Sequence, residues 1–340
     1  MAKRKRTEFD DVSIANVQRL LEMRRQFLVP VDQSMVMIGQ SQRAGGTLLN
    51  SLFDANPEVF THPFQLRFTT EKYNWPAGLR GTTDEEAAEA FERLHQAYIQ
   101  KKFEAGYTKQ GKKTSEQQRL PFAIVPTYMD WLFMEICREQ RPETTRGVLD
   151  AYFTALFNAW LDLDGLRKTP KKWIVAFAPR FGWAPARDGF FGDYPDGRLL
   201  LIIREPRAWC ASEALLSRRG TDAPVYADHW LENADQLLEA KKQRPDSVRL
   251  LTYESIVLKS KSTMRALARW LDITYDPMLT LPSFNGLATE ANSSHDVTGH
   301  GIKKASLNKW KSTLSEEDAE LIHDRTESKY EELLESADIS

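Results

Sequence analysis

The chain has 340 residues, and 46 Lys and Arg against 48 Asp and Glu give it a formal net charge of -2, which argues against a protein built around a nucleic-acid backbone. Hydrophobic residues make up 41% of the sequence and aromatic residues 11%, enough for the core of one large α/β domain or two small ones. Two cysteines, Cys137 and Cys210, are too few for a disulfide framework, and their apolar helical surroundings predict buried free thiols.

The first 30 residues are predicted to form a basic tail and an amphipathic helix, Asp10 to Phe27, ahead of a domain that spans residues 31–340. We interpret the cluster from Lys3 to Arg6 as a solvated tail rather than a targeting or nucleic-acid patch. No apolar segment follows it, as a secretory signal would require. The longest aliphatic run, Leu199 to Ile203, is far shorter than the about 20 residues that span a bilayer. We therefore expect a cytoplasmic protein without a membrane span or a nucleic-acid partner.

A strand, a glycine-rich turn and a helix follow one another at the start of this domain. The short apolar run from Met35 to Ile38 predicts a buried strand. Gly39 begins a polar turn, and Thr47 opens a helical pattern that ends at Pro57. This arrangement predicts an anion site, because glycines let backbone N–H groups approach a ligand and the helix N-terminus adds partial positive charge.

The turn differs from the Walker A loop, in which a lysine directly precedes the hydroxyl residue. When the Walker A motif is aligned on Thr47, Gly46 occupies the position of its lysine and Gln40 the position of its first glycine. Arg43, four residues before Thr47, is the only cation in the turn. The turn therefore either cradles a phosphate with its charge in a different place, or is a tight strand-to-helix connection with a solvated arginine.

The next part of the sequence predicts a second strand and then a helical insert at about residues 69–165. The strand is Val59 to His62, and we expect it to end at Pro63. The insert is predicted from three helical patterns, which are Asp84 to Ala105, Tyr128 to Glu139 and Thr144 to Leu163. Aromatic residues such as Trp75 either line an acceptor pocket there or belong to the core.

Alternating strands and helices resume after the insert. The predicted strands are Trp173 to Ala178, Leu199 to Ile203 and Val248 to Thr252, and the predicted helices are Arg207 to Arg219, Val225 to Lys242 and Ser262 to Leu271. This alternation predicts a parallel sheet that binds its ligand at the carboxyl ends of the strands. Ser315 is predicted to cap a C-terminal helix that runs to about Glu335.

The strand Leu199 to Ile203 ends in Arg204, whereas the comparable strand of a P-loop kinase often ends in an aspartate that organises Mg²⁺. Arg204 and Ser212, which lies about two turns into the next helix, can grip a terminal phosphate by charge-assisted hydrogen bonds. The alternative is that Arg204 pairs only with Glu205 or another nearby carboxylate.

These two segments together resemble the sulfotransferases that use 3′-phosphoadenosine-5′-phosphosulfate (PAPS). The run from Arg43 to Thr47 is similar to their 5′-phosphosulfate-binding loop, although Gly46 stands where many members have Thr. Arg204, Pro206 and Ser212 have the spacing of their 3′-phosphate-binding region. The resemblance implies a P-loop NTPase-like sulfotransferase fold, in which helices flank a parallel β-sheet, and the helical insert lies outside the resemblance.

The resemblance also implies the reaction and the nucleotide-binding residues. The expected reaction transfers a sulfuryl group from PAPS, with no metal, to a hydroxyl or amine of a carbohydrate or small molecule. Tyr253 lies in a segment similar to one whose tyrosine is near the adenine, and Lys303 or Lys304 lies in one similar to the loop that closes over the nucleotide. The implied nucleotide-binding residues are Gln42, Arg43, Ala44, Gly45, Gly46, Thr47, Leu48, Arg204, Ser212, Tyr253 and Lys303.

The expected catalytic residues are Arg43 and His62. Arg43 is predicted to stabilise charge on the departing phosphate together with loop amides, and His62 to accept the acceptor's proton, with Glu71 as the alternative base. Phe177 stands where many bacterial relatives have Lys, which suggests a divergent acceptor site. A P-loop nucleotide kinase and a catalytically inactive nucleotide-binding module remain as alternative functions.

Overall fold

The computed structural model describes residues 8–68, 74–95, 99, 124–160, 169–217, 222–284, 286–288 and 301–339. Glu71, the alternative base, lies outside these residues.

Within the described residues, a five-stranded parallel sheet occupies the centre of the protein and confirms the predicted α/β class. Its strands are β1 (Ser34–Gln40), β2 (Val59–Gln65), β3 (Trp173–Pro179), β4 (Arg198–Ile203) and β5 (Val248–Thr252). Their order in the sheet is β2-β3-β1-β4-β5. The carboxyl end of β1 therefore lies between the ends of β3 and β4, where a parallel sheet places its ligand.

Helices flank this sheet and account for most of the remaining described residues. They are α1 (Glu8–Arg25), α2 (Gly46–Phe53), α3 (Asp84–Leu94), α4 (Pro126–Gln140), α5 (Thr145–Asn158), α6 (Ala184–Asp193), α7 (Pro206–Ser217), α8 (Ala223–Gln243), α9 (Tyr253–Leu258), α10 (Ser260–Trp270) and α11 (Glu316–Ser336). Short 3₁₀ helices cover Pro277–Thr280, Lys304–Leu307 and Lys309–Ser312, and an antiparallel pair joins β6 (Ser283–Phe284) to β7 (Leu287–Ala288). The predicted cap of α11 is confirmed, since the Ser315 side chain accepts a hydrogen bond from Asp318 N.

The strands form where the sequence predicted apolar runs, because a parallel sheet covered on both faces needs apolar side chains on both sides. The runs Met35–Ile38 in β1 and Leu199–Ile203 in β4 are fully buried. Both cysteines are buried free thiols, as predicted. Trp75 belongs to the core, since its ring packs edge-on against aromatic rings that include Phe181, Phe190 and Tyr194.

The prediction that β2 ends at Pro63 was wrong, because the strand continues to Gln65. Thr61 pairs with Val175 and Gln65 pairs with Phe177, so an advance of four residues along β2 corresponds to an advance of only two along β3. This bulge accommodates Pro63, which has no N–H to donate, and β2 lies at the edge of the sheet where such irregularities are tolerated.

Two predicted helices of the insert end earlier than expected. Helix α3 stops at Leu94, because His95 adopts an extended backbone and its ring stacks on Phe91; residues 96–98 and 100–105 of the predicted helix lie outside the described residues. Helix α5 stops at Asn158, whose side chain bonds both the N–H and the carbonyl of Val29. Helices α6 and α9 were not predicted.

Candidate active site

The turn between β1 and α2 has the backbone shape of an anion-binding loop. Arg43 and Gly45 adopt left-handed conformations, with φ of 70° and 109°. For a residue other than glycine, such as Arg43, a left-handed conformation costs free energy. It is kept only where the surrounding structure holds the backbone in place. The first backbone N–H groups of α2 lie at this turn, where a helix N-terminus attracts anions.

Gly45 is also required by a close contact with Tyr253, the first residue of α9. A Cβ atom at Gly45 would lie 2.5 Å from Cδ2 and 2.9 Å from Cε2 of the tyrosine ring. The ring of Tyr253 therefore packs directly against the loop backbone. Tyr253 reaches this position because β5 ends at the same edge of the sheet as β1.

Arg204 lies at the carboxyl end of β4 and is almost completely buried. Its guanidinium lies over the Tyr253 ring, 4.6 Å from the centroid, and donates to the carbonyl oxygens of Arg43 (3.3 Å) and Ser306 (2.7 Å). Its buried Nε has no hydrogen-bond partner within the part of the chain that the structure describes. Glu205 does not take Arg204 as its partner here, and instead accepts a hydrogen bond from Arg207 Nε at 2.6 Å.

Helix α7 places Ser212 against the loop arginine. Arg43 Nε donates to Ser212 Oγ at 3.2 Å, and Trp209 Nε1 donates to the carbonyl of Gln42 at 2.6 Å. Burial lowers the pKa of Arg43, while the charge of Glu213 acts in the opposite direction. Burial in turn raises the pKa of Glu213, and the positive charge of Arg43 opposes that rise.

A C-terminal segment covers this edge of the site. The hydroxyls of Ser306 and Tyr253 share a hydrogen bond of 2.8 Å, and Ser306 Oγ also donates to the carbonyl of Lys303 at 3.1 Å. Arg207 stacks over the ring of Trp310 at 4.4 Å. The segment that contains Lys303 thus lies next to Arg204 and Tyr253.

The structure brings the loop residues, Arg204, Ser212, Tyr253 and the Lys303 backbone together at one edge of the sheet. It places His62 farther along that edge, on β2, with β3 between β2 and β1. Sequence reasoning missed Ser306 and Glu213, although Ser306 lies three residues after Lys303 and Glu213 directly follows Ser212.

His62 is fully buried in the bulge of β2. Its Nδ1 is 2.8 Å from the carbonyl oxygen of Phe64 and 3.4 Å from Phe64 N. Because the shorter contact is to a carbonyl, which can only accept, we assign the proton to Nδ1. The other ring nitrogen, Nε2, is buried and has no hydrogen-bond partner among the described residues. Burial lowers the pKa of His62 to about 4, and the bond to Phe64 opposes this only in part.

Phe177 lies on β3 between Ile38 of β1 and Gln65 of β2 and is 6% exposed. Its backbone carbonyl accepts from Leu66 N at 2.8 Å. Three residues later, Arg180 has a left-handed backbone with φ of 65°. This exposed arginine is a cation at the carboxyl end of β3.

In the described ranges, no group of three or more His, Cys, Asp or Glu side chains is placed to hold a metal ion. The helices in those ranges are too short or too polar to cross a membrane.

Comparisons with known proteins agree with this geometry. The model of the sulfotransferase family matches residues 36–277, a range that contains the loop, His62, Arg204, Ser212 and Tyr253. A comparison with curated protein sequences found no match.

The solved structures that share the fold include two sulfotransferase domains. The sulfotransferase domain from the curacin biosynthetic pathway has a TM-score of 0.51 and 13% identity, over 87% of this chain and 98% of that domain. The sulfotransferase domain from the Synechococcus PCC 7002 olefin synthase has a TM-score of 0.50 and 13% identity, over 85% of this chain and 93% of that domain.

Proposed function

Because the chain belongs to the sulfotransferase family, we propose that it transfers a sulfuryl group from PAPS to a hydroxyl or amine of a carbohydrate or another small molecule. The observation that carries this proposal is the joint placement of Arg43 and Arg204 at the ends of β1 and β4, with Ser212 hydrogen-bonded to Arg43. Two guanidinium groups on neighbouring strand ends suit a nucleotide that bears two separate anionic groups.

The loop around Arg43 is suited to the 5′-phosphosulfate. In the proposed step, an acceptor oxygen or nitrogen forms a bond to sulfur while the bond from sulfur to the bridging phosphate oxygen breaks. The electron pair remains on the departing 3′-phosphoadenosine 5′-phosphate. Arg43 and the N–H groups at the start of α2 are near the place where this negative charge grows, and such donors stabilise the transition state.

Arg204 is suited to the 3′-phosphate. Its buried Nε has no hydrogen-bond partner among the described residues, and leaving such a donor unpaired costs about 1–3 kcal/mol. A phosphate oxygen would satisfy it and would pair the charge as well. Lys303 is proposed to add a second cation, because its backbone is held beside Ser306 through the Ser306 hydroxyl.

His62 is proposed to accept the acceptor's proton. The hydrogen bond from Nδ1 to Phe64 fixes the tautomer in which Nε2 has a lone pair. The lowered pKa of about 4 keeps the imidazole neutral at pH 7. Since the side chain is fully buried, an acceptor reaches Nε2 only after the covering residues have moved. Glu71 remains the alternative base.

The test is a transfer assay with ³⁵S-labelled PAPS and a panel of sugars, alcohols, phenols and amines, in which the mass of each labelled product is determined. We expect label to appear in an acceptor with the wild-type protein and to be strongly reduced in Arg43→Ala. The full burial of His62 favours one second candidate, a catalytically inactive nucleotide-binding module. Binding of 3′-phosphoadenosine 5′-phosphate without transfer to any acceptor would support that module and contradict the enzyme.

A further inference from the structure

Helix α2 contains one buried amide, Asn50, among the apolar residues Leu49, Leu52 and Phe53. Its Nδ2 donates to the carbonyl oxygen of His62 at 3.0 Å. Its Oδ1 is buried without a hydrogen-bond partner in the described part of the chain. A buried amide that is only half satisfied disfavours folding relative to an apolar residue of similar size. Stability alone therefore does not account for an asparagine at this position.

The carbonyl that Asn50 contacts belongs to the bulge of β2. The pairing of β2 with β3 passes from Thr61 directly to Gln65, so His62 lies outside the regular ladder. A bulge leaves a residue unpaired and turns its side chain in a new direction. Asn50 supplies from α2 the hydrogen bond that the neighbouring strand does not, and the bond from Nδ1 to Phe64 fixes the ring.

We propose that Asn50 is a positioning residue that anchors the His62 bulge to α2, the helix whose N-terminus lies at the loop. This inference rests on the proposed role of His62 as the base. One rigid helix then carries the loop at its first turn and holds the base through its second turn, because Asn50 follows Thr47 by three residues. The distance between the leaving group and the base would thus be set by α2 rather than by the irregular pairing at the edge of the sheet.

Asn50→Leu tests this, because leucine has a similar volume but cannot donate a hydrogen bond. We expect kcat to fall about tenfold to a hundredfold, the scale for a small misplacement of a catalytic group. The KM for PAPS should stay within about twofold, because the loop contacts persist. Asn50→Gln, which keeps a donor, should recover part of kcat. Asn50→Ala serves if Asn50→Leu does not fold. Ser51→Ala is the matched control on the same helix and should leave kcat unchanged, because its hydroxyl donates to the Leu48 carbonyl within that helix.

The second readout does not depend on activity. In ¹⁵N-histidine NMR spectra, with the His62 signals identified by their loss in His62→Gln, the wild type should show a single tautomer protonated at Nδ1. Asn50→Leu should show a mixture of tautomers. A wild-type kcat and an unchanged tautomer in Asn50→Leu would overturn the proposal, and so would a parallel loss of nucleotide binding. If the wild type transfers no sulfuryl group, the proposed function fails, while the tautomer measurement still decides whether Asn50 positions His62.

Discussion

The burial of His62 predicts a specific dependence of stability on pH. The folded protein holds this side chain with a pKa of about 4, whereas a histidine in an unfolded chain titrates near 6.5. Between these values the unfolded state binds a proton that the folded state does not, so the free energy of unfolding decreases as the pH falls through this window. The difference corresponds to about 3 kcal/mol at 1.36 kcal/mol per pH unit, and the full loss is reached below about pH 4.

His62→Gln removes this contribution and keeps a polar side chain in the bulge. Urea unfolding of the wild type and of the variant, measured at intervals between pH 7 and pH 4, gives the difference between their free energies of unfolding at each pH. We expect this difference to change by most of 3 kcal/mol in favour of the variant as the pH falls. His323→Gln on α11, where the side chain is 42% exposed, is the matched control for the loss of one histidine. A difference between wild type and His62→Gln that is constant over this range would contradict the prediction, because His62 would then not be buried as a neutral imidazole.

Three further predictions concern the loop and its neighbours. Arg43→Ala should lower kcat by about a hundredfold or more, with a smaller effect on PAPS affinity. An unchanged kcat in steady-state kinetics would mean that another cation stabilises the charge on the leaving group. Glu213→Gln should tighten binding of 3′-phosphoadenosine 5′-phosphate by about fivefold or more, because its carboxylate opposes an incoming anion; calorimetry that shows equal or weaker binding would contradict this. Gly45→Ala should lower the free energy of unfolding by about 1–3 kcal/mol through its left-handed backbone and its clash with Tyr253. Gly192→Ala, which meets no atom within 4 Å, is its control in denaturant unfolding, and equal stability of the two variants would refute the steric argument.

The strands and the loop could be predicted because their signals are local. Apolar runs such as Leu199 to Ile203 and the glycines after β1 each specify their own conformation. The end of β2 could not be predicted, because Pro63 is tolerated only through a bulge at the sheet edge, and the position of β2 at that edge depends on strands far away in the sequence. The end of α3 at Leu94 could not be predicted either. It follows from the extended backbone of His95, and no residue there is a typical signal for the end of a helix.

The residues that line the candidate site could be predicted only where they occur at a characteristic spacing within one short segment. Arg204 and Ser212 are eight residues apart across one strand-to-helix turn, a pattern that is visible in the sequence. The contact of Arg204 with Ser306 joins residues 102 positions apart, so no local pattern reveals it. The lowered pKa of His62 could not be predicted either, because it arises from burial by residues that only the fold brings around the ring.

The proposed function requires that the site bind a nucleotide with a 3′-phosphate through Arg204. Calorimetric titration with 3′-phosphoadenosine 5′-phosphate and with adenosine 5′-phosphate, each with and without EDTA, measures this directly. We expect the 3′-phosphate to contribute about 2–4 kcal/mol to binding, because without it a buried arginine charge is left partly unpaired. Arg204→Ala should erase most of the difference, whereas Arg198→Ala at the amino end of the same strand should retain it. Equal affinity for the two ligands, or tighter binding of ATP with Mg²⁺, would contradict the assignment of a PAPS-dependent sulfotransferase.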